Sequence, residues 1–211
     1  IVLAIRSYNR PYYLEKTLNS LINSDISLCN NIIIYDDAST NKETINLLKN
    51  HNITKLDNIS VVFNKKNKGC KLSYIELLDY IEQNFNYDLI TIVDNDVIFK
   101  RDFVEKLKDI YYNSIINLKS NYIVLSGFKP TNSHLKQIDS EHKYSNFHIR
   151  NSVGGVCYIF NKQSRDLVYA GWKKNLDWGV NRILKNKLGF YLTCVNESVV
   201  NHIGIEGLHS S

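Results

Sequence analysis

Short apolar runs that stop on acidic or turn residues alternate with stretches of helical periodicity from Ile1 to Tyr111, and this alternation leaves few folds open. Ile1-Val2-Leu3-Ala4-Ile5 reads as a buried strand. Asn9 is placed to cap the helix that follows, with Pro11 in its first turn, where a missing N–H costs little. Leu14, Leu18, Leu21 and Ile22 then recur at helical spacing. Ile32 to Tyr35 is a second strand that stops on Asp36-Asp37, and Thr40-x-x-Glu43 has the form of a capping box for a helix whose Ile45 and Leu48 face inward. Ile59 to Phe63 is a third strand. Leu72, Ile75, Leu78, Ile81 and Phe85 mark a long amphipathic helix, and Leu89 to Val93 is a fourth strand that ends on Asp94-Asn95-Asp96. Phe103, Leu107, Ile110 and Tyr111 mark one more helix.

Strands and helices in this alternation imply an α/β fold, a mainly parallel sheet with helices on both faces. In such sheets ligands bind beyond the carboxyl ends of the strands, where both acidic clusters fall. The second half is less regular. Tyr122 to Phe128, Val153 to Phe160, Phe190 to Val195 and Ser198 to Val200 read as strands and Leu176 to Lys187 as a helix. Residues 129–150 are polar and read as a loop near the site. With 211 residues and no boundary or repeat, the chain is expected to be one domain, 1–211.

A hydrophobic share of 44% and a charged share of 22% suit a soluble globular protein. No apolar run spans a membrane, and no basic region precedes an apolar one as a signal peptide would require, so a cytoplasmic location is expected. The abrupt apolar start and the absence of Met point to a fragment of a longer chain. A net charge of +5 suits an anionic small ligand and is too mild, with its Lys and Arg scattered, to argue for nucleic acid. Cys29, Cys70, Cys157 and Cys194 lack metal or redox spacing and read as reduced core thiols. No Gly-rich dinucleotide or P-loop motif is present.

The chemistry-bearing residues cluster at predicted strand ends. Asp94 and Asp96, two positions apart after a buried strand, can converge on one hard cation such as Mg²⁺ or Mn²⁺, or simply form a solvated turn. Asp36 and Asp37 can accept from a base or a ribose, or serve as a turn and helix cap. His202 can reach the same metal and His209 a phosphate, although a structural histidine is the plainer reading of each. Asp177 opens the predicted helix beside Trp178: first-turn charge on the plain reading, a general base beside a sugar-stacking aromatic on the functional one.

In order, these pieces resemble the family-2-type glycosyltransferases of the GT-A fold. The resemblance rests on Ser7-Tyr8-Asn9-Arg10-Pro11, Tyr35-Asp36-Asp37-Ala38-Ser39-Thr40, Asn67-Lys68-Gly69, Val93-Asp94-Asn95-Asp96, Gly154-Gly155, Leu176-Asp177-Trp178, and His202-Ile203-Gly204 with His209-Ser210. It spans nearly the whole chain and implies a nucleotide-binding half, 1–100, and an acceptor-binding half, 101–211. It implies a nucleotide-sugar donor, UDP-linked by preference, bound through Tyr8, Asp36, Asp37, Lys68 and His209. It implies Mn²⁺ or Mg²⁺ held by Asp96 and His202, with Asp94 near the ribose or sugar. Gly154, Gly155 and Trp178 would face the sugar and its glycan, protein or lipid-linked acceptor, and Asp177 would be the base of an inverting transfer. Two departures stand out: Leu176-Asp177 leaves one carboxylate where an acidic pair is usual, and the Q-x-x-R-W element of processive synthases is absent. Single addition is therefore expected rather than polymerisation. A nucleotidyltransferase of similar fold is disfavoured because Arg6 to Pro11 contains no glycine; an inactive carbohydrate- or nucleotide-binding relic is the other alternative.

Overall fold

The computed structural model describes residues 1–130, 138–174 and 189–204. Strands β1 (Val2–Ser7), β2 (Asn31–Asp36), β3 (Ile59–Phe63) and β4 (Leu89–Asp94) run parallel. They are joined through helices α1 (Pro11–Ile22), α2 (Lys42–Asn50) and α3 (Gly69–Asn84). Beyond β4 come β5 (Val97–Phe99), α4 (Phe103–Leu118), β6 (Tyr122–Ser126), β7 (Ile138–Lys143), β8 (Phe147–Arg150), β9 (Cys157–Asn161), α5 (Lys162–Lys174), β10 (Phe190–Val195) and β11 (Val200–His202). The described strands form a sheet in the order β3-β2-β1-β4-β9-β6-β10-β8-β7 and a small β11-β5 pair.

The expected α/β architecture is present, with a mainly parallel sheet. Two of its described strands run against the others: β9, antiparallel to both β4 and β6, and β8, antiparallel to both β10 and β7. The apolar side chains of alternate strand positions pack on opposite faces. Leu3, Ile5, Ile32, Ile34 and Val93 meet Leu14, Leu18 and Leu21 of α1, Leu48 of α2 and Phe103, Leu107 and Tyr111 of α4. Ala4, Ile33, Ile92, Tyr158 and Phe160 meet Tyr74, Leu78 and Ile81 of α3 and Val168 and Trp172 of α5. Full burial of each large apolar side chain contributes about 1.5–3 kcal/mol, so this two-sided core dominates the stability.

Several local expectations change. Asn9 does not cap α1; Arg10 takes that position, and Asn9 itself adopts φ +44°. Asn41, not Thr40, caps α2 by accepting from the Thr44 N–H at 2.9 Å. Leu72 is 51% exposed, because α3 turns Tyr74, Leu77, Leu78 and Ile81 to the core instead. The segment read as a loop over 129–150 holds the antiparallel pair β7–β8. Cys29, Cys157 and Cys194 are buried thiols as expected, whereas Cys70 is exposed at the start of α3. Among the described residues no helix is long and apolar enough to cross a membrane. The predicted helix 176–187 lies outside the described residues.

Candidate active site

The strand order reverses at β1: β2 and β3 extend to one side and β4 to the other. A crevice forms at such a switch point beyond the carboxyl ends of the strands. Register pairs Ser7 with Asp36 on one side and Arg6 with Asp94 on the other, so both acidic clusters rise beside the end of β1.

On the β2 side a cleft of about 640 Å³ opens among Tyr8, Asp36, Ser39, Lys49, Phe63 and Asn67. Its walls are tied together by side chains. Asn9 Oδ1 accepts from the N–H groups of Thr40 and Asn41, each at 2.8 Å, and Ser39 Oγ accepts from the Asn9 N–H at 2.9 Å. Ala38 completes this turn in the left-handed region, φ +60°. The Asp36 carboxylate is buried and accepts from the Ser39 N–H (2.8 Å) and hydroxyl (2.6 Å). Asp37 accepts from the backbone N–H groups of Lys68 (3.0 Å) and Gly69 (2.9 Å) and from Asn64 Nδ2 (3.2 Å). Asp37 thereby caps α3, which otherwise has no side-chain cap from Lys68, its own N-cap residue. Gly69, at φ +74°, lets the chain turn into that helix. The ammonium of Lys68 pairs with Glu76 at 3.0 Å, while Lys49, Lys65 and Lys66 line the cleft.

On the β4 side, Asp94 pairs with Arg6, and Asp96 Oδ2 accepts from Arg10 Nη1 at 2.5 Å. The β5–β11 pair carries the late histidine into place: His202 is the register partner of Val97, and the Ile203 N–H donates to the Asp96 carbonyl at 2.8 Å. His202 Nε2 lies 3.3 Å from Asp96 Oδ2, and its ring stands edge-on to Phe128 at 5.7 Å. The hydrogen bond to Asp96 raises the His202 pKa, with burial opposing and the charges of Asp96 and Asp94 adding. For Asp96, burial pushes the pKa up, but the hydrogen bond and charge of His202 and the charge of Arg10 together bring it below the usual carboxylate range. Gly204 closes over the pair so tightly that a Cβ there would lie 2.2 Å from Asp96 Oδ2. Gly154 is exposed and Gly155 buried in the loop before β9, and the Asp94 N–H donates to the Val156 carbonyl at 3.1 Å, which seats that loop beside Asp94.

The structure thus brings together Asp94, Asp96 and His202 on one side of β1 and Tyr8, Asp36 and Asp37 on the other. Asp177, Trp178 and His209 lie outside the described residues. Arg6, Arg10 and Gly204 are site residues that a search for acids and histidines passes over. The mark that Arg6 leaves in the sequence is a charge near the end of an otherwise apolar run, which does not say what it meets.

The donor set can be tested for a divalent cation. Asp96 is 5% exposed, ionised, and its Oδ1 is buried with no hydrogen-bond partner. An orphaned carboxylate oxygen next to an imidazole nitrogen suits a hard or borderline cation. Among the described residues no three His, Cys, Asp or Glu are grouped to hold a metal by themselves. Two protein ligands with the rest from a phosphate group is a usual arrangement for Mg²⁺-type sites.

This mainly parallel α/β sheet, with carboxylates gathered at its switch point, has the GT-A fold. The chain superposes on S. aureus TarS 1–349 with a TM-score of 0.62 at 14% identity, over 97% of this chain and 60% of that one. A mannosyltransferase from Pyrobaculum calidifontis, in complex with GDP-Man and Mn²⁺, gives 0.61 at 15% identity over 90% and 53%. The chain therefore spans about half to three fifths of these structures. No curated sequence relative matches. The model of glycosyl transferase family 2 matches residues 3–114, just over half of the sequence, and the chain belongs to that family.

Proposed function

We propose that the protein transfers a single sugar from a nucleoside-diphosphate donor, UDP-linked by preference, to an acceptor hydroxyl with inversion at the anomeric carbon. The observation that carries this reading is the division of the crevice by β1 into a polar cleft on one side and the Asp94–Asp96–His202 cluster on the other. A base in the cleft and a diphosphate over the cluster would lie across the switch point, as nucleotides do in open α/β sheets. Residues 1–100 would thus bind the nucleotide and residues 101–211 the acceptor.

The carboxylates of Asp36, which lines the cleft, and of Asp37, which holds Asn64, Lys68 and Gly69, are both taken up by protein donors, so the two would support the nucleoside by holding the walls around it. The cleft is rich in donors, namely Lys49, Lys65, Lys66, Asn64 and Asn67. Uracil offers two carbonyl oxygens to such a surface. Tyr8 and Phe63 line the same cleft and supply aromatic surface against a base.

Asp96 and His202 would hold Mn²⁺ or Mg²⁺, which supplies neutralisation of the charge that develops on the leaving diphosphate. The rest of the work falls to the chain. Asp94 would accept donor hydroxyls, Gly154, with nothing within 4 Å of its Cβ position, would leave room for the sugar together with Gly155, and Trp178 would serve the acceptor. Asp177 takes the proton of the attacking hydroxyl, an effect worth roughly 10²–10⁴ in rate. The acceptor is a glycan, protein or lipid-linked hydroxyl.

Calorimetry with UDP tests the metal and the base together. UDP is expected to bind at least tenfold more tightly with Mn²⁺ than in EDTA, and Asp96→Asn is expected to lose that gain. Asp177→Asn should bind UDP normally and fail to transfer. Equal affinity in EDTA, stronger binding of GDP than of UDP, or a product that keeps the donor's anomeric configuration would each remove a part of this reading.

A further inference from the structure

Arg6 sits at the switch point with its charge almost wholly enclosed. Its side chain is 13% exposed, and Nη2 donates to Asp94 Oδ1. Nη1 faces the Cys70 carbonyl at 3.5 Å and its sulfur at 3.3 Å, at the first turn of α3. The guanidinium lies 5.1 Å from the Tyr74 ring centroid and 5.9 Å from that of Trp172. Those two rings are fully buried and stack on each other at 4.0 Å, 17° from parallel. Such a platform fixes the plane of the guanidinium and attracts its charge.

A guanidinium held on three sides cannot swing to meet a ligand. Its effect must pass through the one charged group it grips. The same grip gives the two carboxylates of Asp94-x-Asp96 different characters. Asp94 has one oxygen occupied by a fixed cation and its charge countered, which makes it a poor competitor for a metal and leaves it a hydrogen-bond acceptor for hydroxyls. Asp96 keeps one oxygen orphaned.

We infer that Arg6 is a positioning residue that assigns Asp94 to the hydroxyls of the nucleotide-sugar and so reserves Asp96 for the cation; this rests on the transfer reading above. Arg6 touches neither donor nor metal, and its whole contribution is the aim and charge of Asp94. Lys in its place would keep the charge but lose the planar fork that spans Asp94 and Cys70.

A double-mutant cycle over Arg6→Met and Asp94→Asn tests this. It is read with whichever of UDP-glucose, UDP-galactose and UDP-N-acetylglucosamine the wild type turns over fastest, alongside calorimetric Mn²⁺ affinity in the presence of UDP. Losing a charge-assisted contact costs on the order of 10–100-fold in kcat/KM. Arg6→Met is expected to show that loss, mostly in KM, with Mn²⁺ affinity held or raised, since Asp94 without its cation can also reach for the metal. Arg6→Lys should recover part of it, and the double variant should be no slower than Asp94→Asn alone. Should Arg6→Met not fold, Arg6→Lys takes its place in the cycle, with the same loss of additivity expected. Losses that multiply, a wild-type KM in Arg6→Met, or a fall in Mn²⁺ affinity would overturn the inference while the transfer reading stands. A wild type that turns over none of the three donors and does not bind UDP overturns both.

Discussion

A methyl group added at Gly204 would place its carbon 2.2 Å from Asp96 Oδ2, 2.9 Å from Asp96 Cγ and 3.0 Å from His202 Nε2. Non-bonded heavy atoms settle at roughly 3.5 Å, so the carboxylate or the β11 end must retreat by about 1 Å. Neither has slack. Asp96 is buried, its Oδ2 is held by Arg10 at 2.5 Å and lies 3.3 Å from His202, and the Ile203 N–H ties the strand end to the Asp96 carbonyl. A displacement of 1 Å in a catalytic constellation costs on the order of 10²-fold in rate. Overpacking of a tight contact costs about 1–3 kcal/mol, and each kcal/mol lowers Tm by about 2–4 °C in a domain of this size. Gly204→Ala should therefore lose about a hundredfold in kcat/KM, read as release of nucleoside diphosphate at saturating Mn²⁺. It should remain folded, with a Tm lowered by several degrees in a circular dichroism melt. Wild-type turnover and Mn²⁺ affinity in this variant would refute the reasoning, since they would mean that Gly204 does not close against a working Asp96–His202 pair.

Asp37→Ala removes the cap of α3 and should cost about 0.5–2 kcal/mol by denaturant melt, with UDP affinity falling as the 64–68 wall loosens; unchanged stability would deny Asp37 its capping role. His148 is buried with its Nδ1 on Asn196 Oδ1 at 2.9 Å, while Asn196 Nδ2 donates to the carbonyls of Tyr144 and Ser145. Burial lowers its pKa, the Asn196 bond opposes this, and the charges of Arg150, Lys129 and Lys143 lower it further. A histidine depressed in the folded state binds its proton more readily when unfolded. Its stabilising share is present above the unfolded value near 6.5 and is lost as pH falls through the lower folded value. Tm measured from pH 7.5 to 5 should fall more steeply in the wild type than in His148→Gln; parallel profiles would show that the imidazole does not titrate as argued.

The half of the fold that surrounds the cleft beside β2 was legible because its strands are continuous apolar runs and its helices keep their period. Direction along a strand leaves no such mark. Cys157–Asn161 reads like any buried strand, and nothing local shows that β9 runs against β4 and β6. Helix α5 was missed although Asn161 Oδ1 accepts from the Ser164 N–H at 2.8 Å as a cap would, because Gly171 and a polar first turn blur its period. At the site, Asp94, Asp96 and His202 announced themselves as ligand types near strand ends. Their cations did not. Arg6 reads as the end of a strand and Arg10 as the lead-in to a helix; the register of β1 against β4 sets Arg6 beside Asp94, and the turn into α1 brings Arg10 to Asp96. The Thr40-x-x-Glu43 pattern points to Thr40 as the cap of α2, whereas Asn9 Oδ1 takes the N–H groups of both Thr40 and Asn41 and the Asn41 side chain caps the helix.

The central claim is nucleotide-sugar-dependent transfer at a metal-assisted site, and a donor panel tests it most directly. UDP-, GDP- and dTDP-linked sugars are incubated with the protein in Mn²⁺ or EDTA, and the released nucleoside diphosphate is measured. The account predicts release from a UDP-sugar in Mn²⁺, abolished by EDTA and by Asp96→Asn. No release from any donor, or equal release in Mn²⁺ and EDTA, would contradict it.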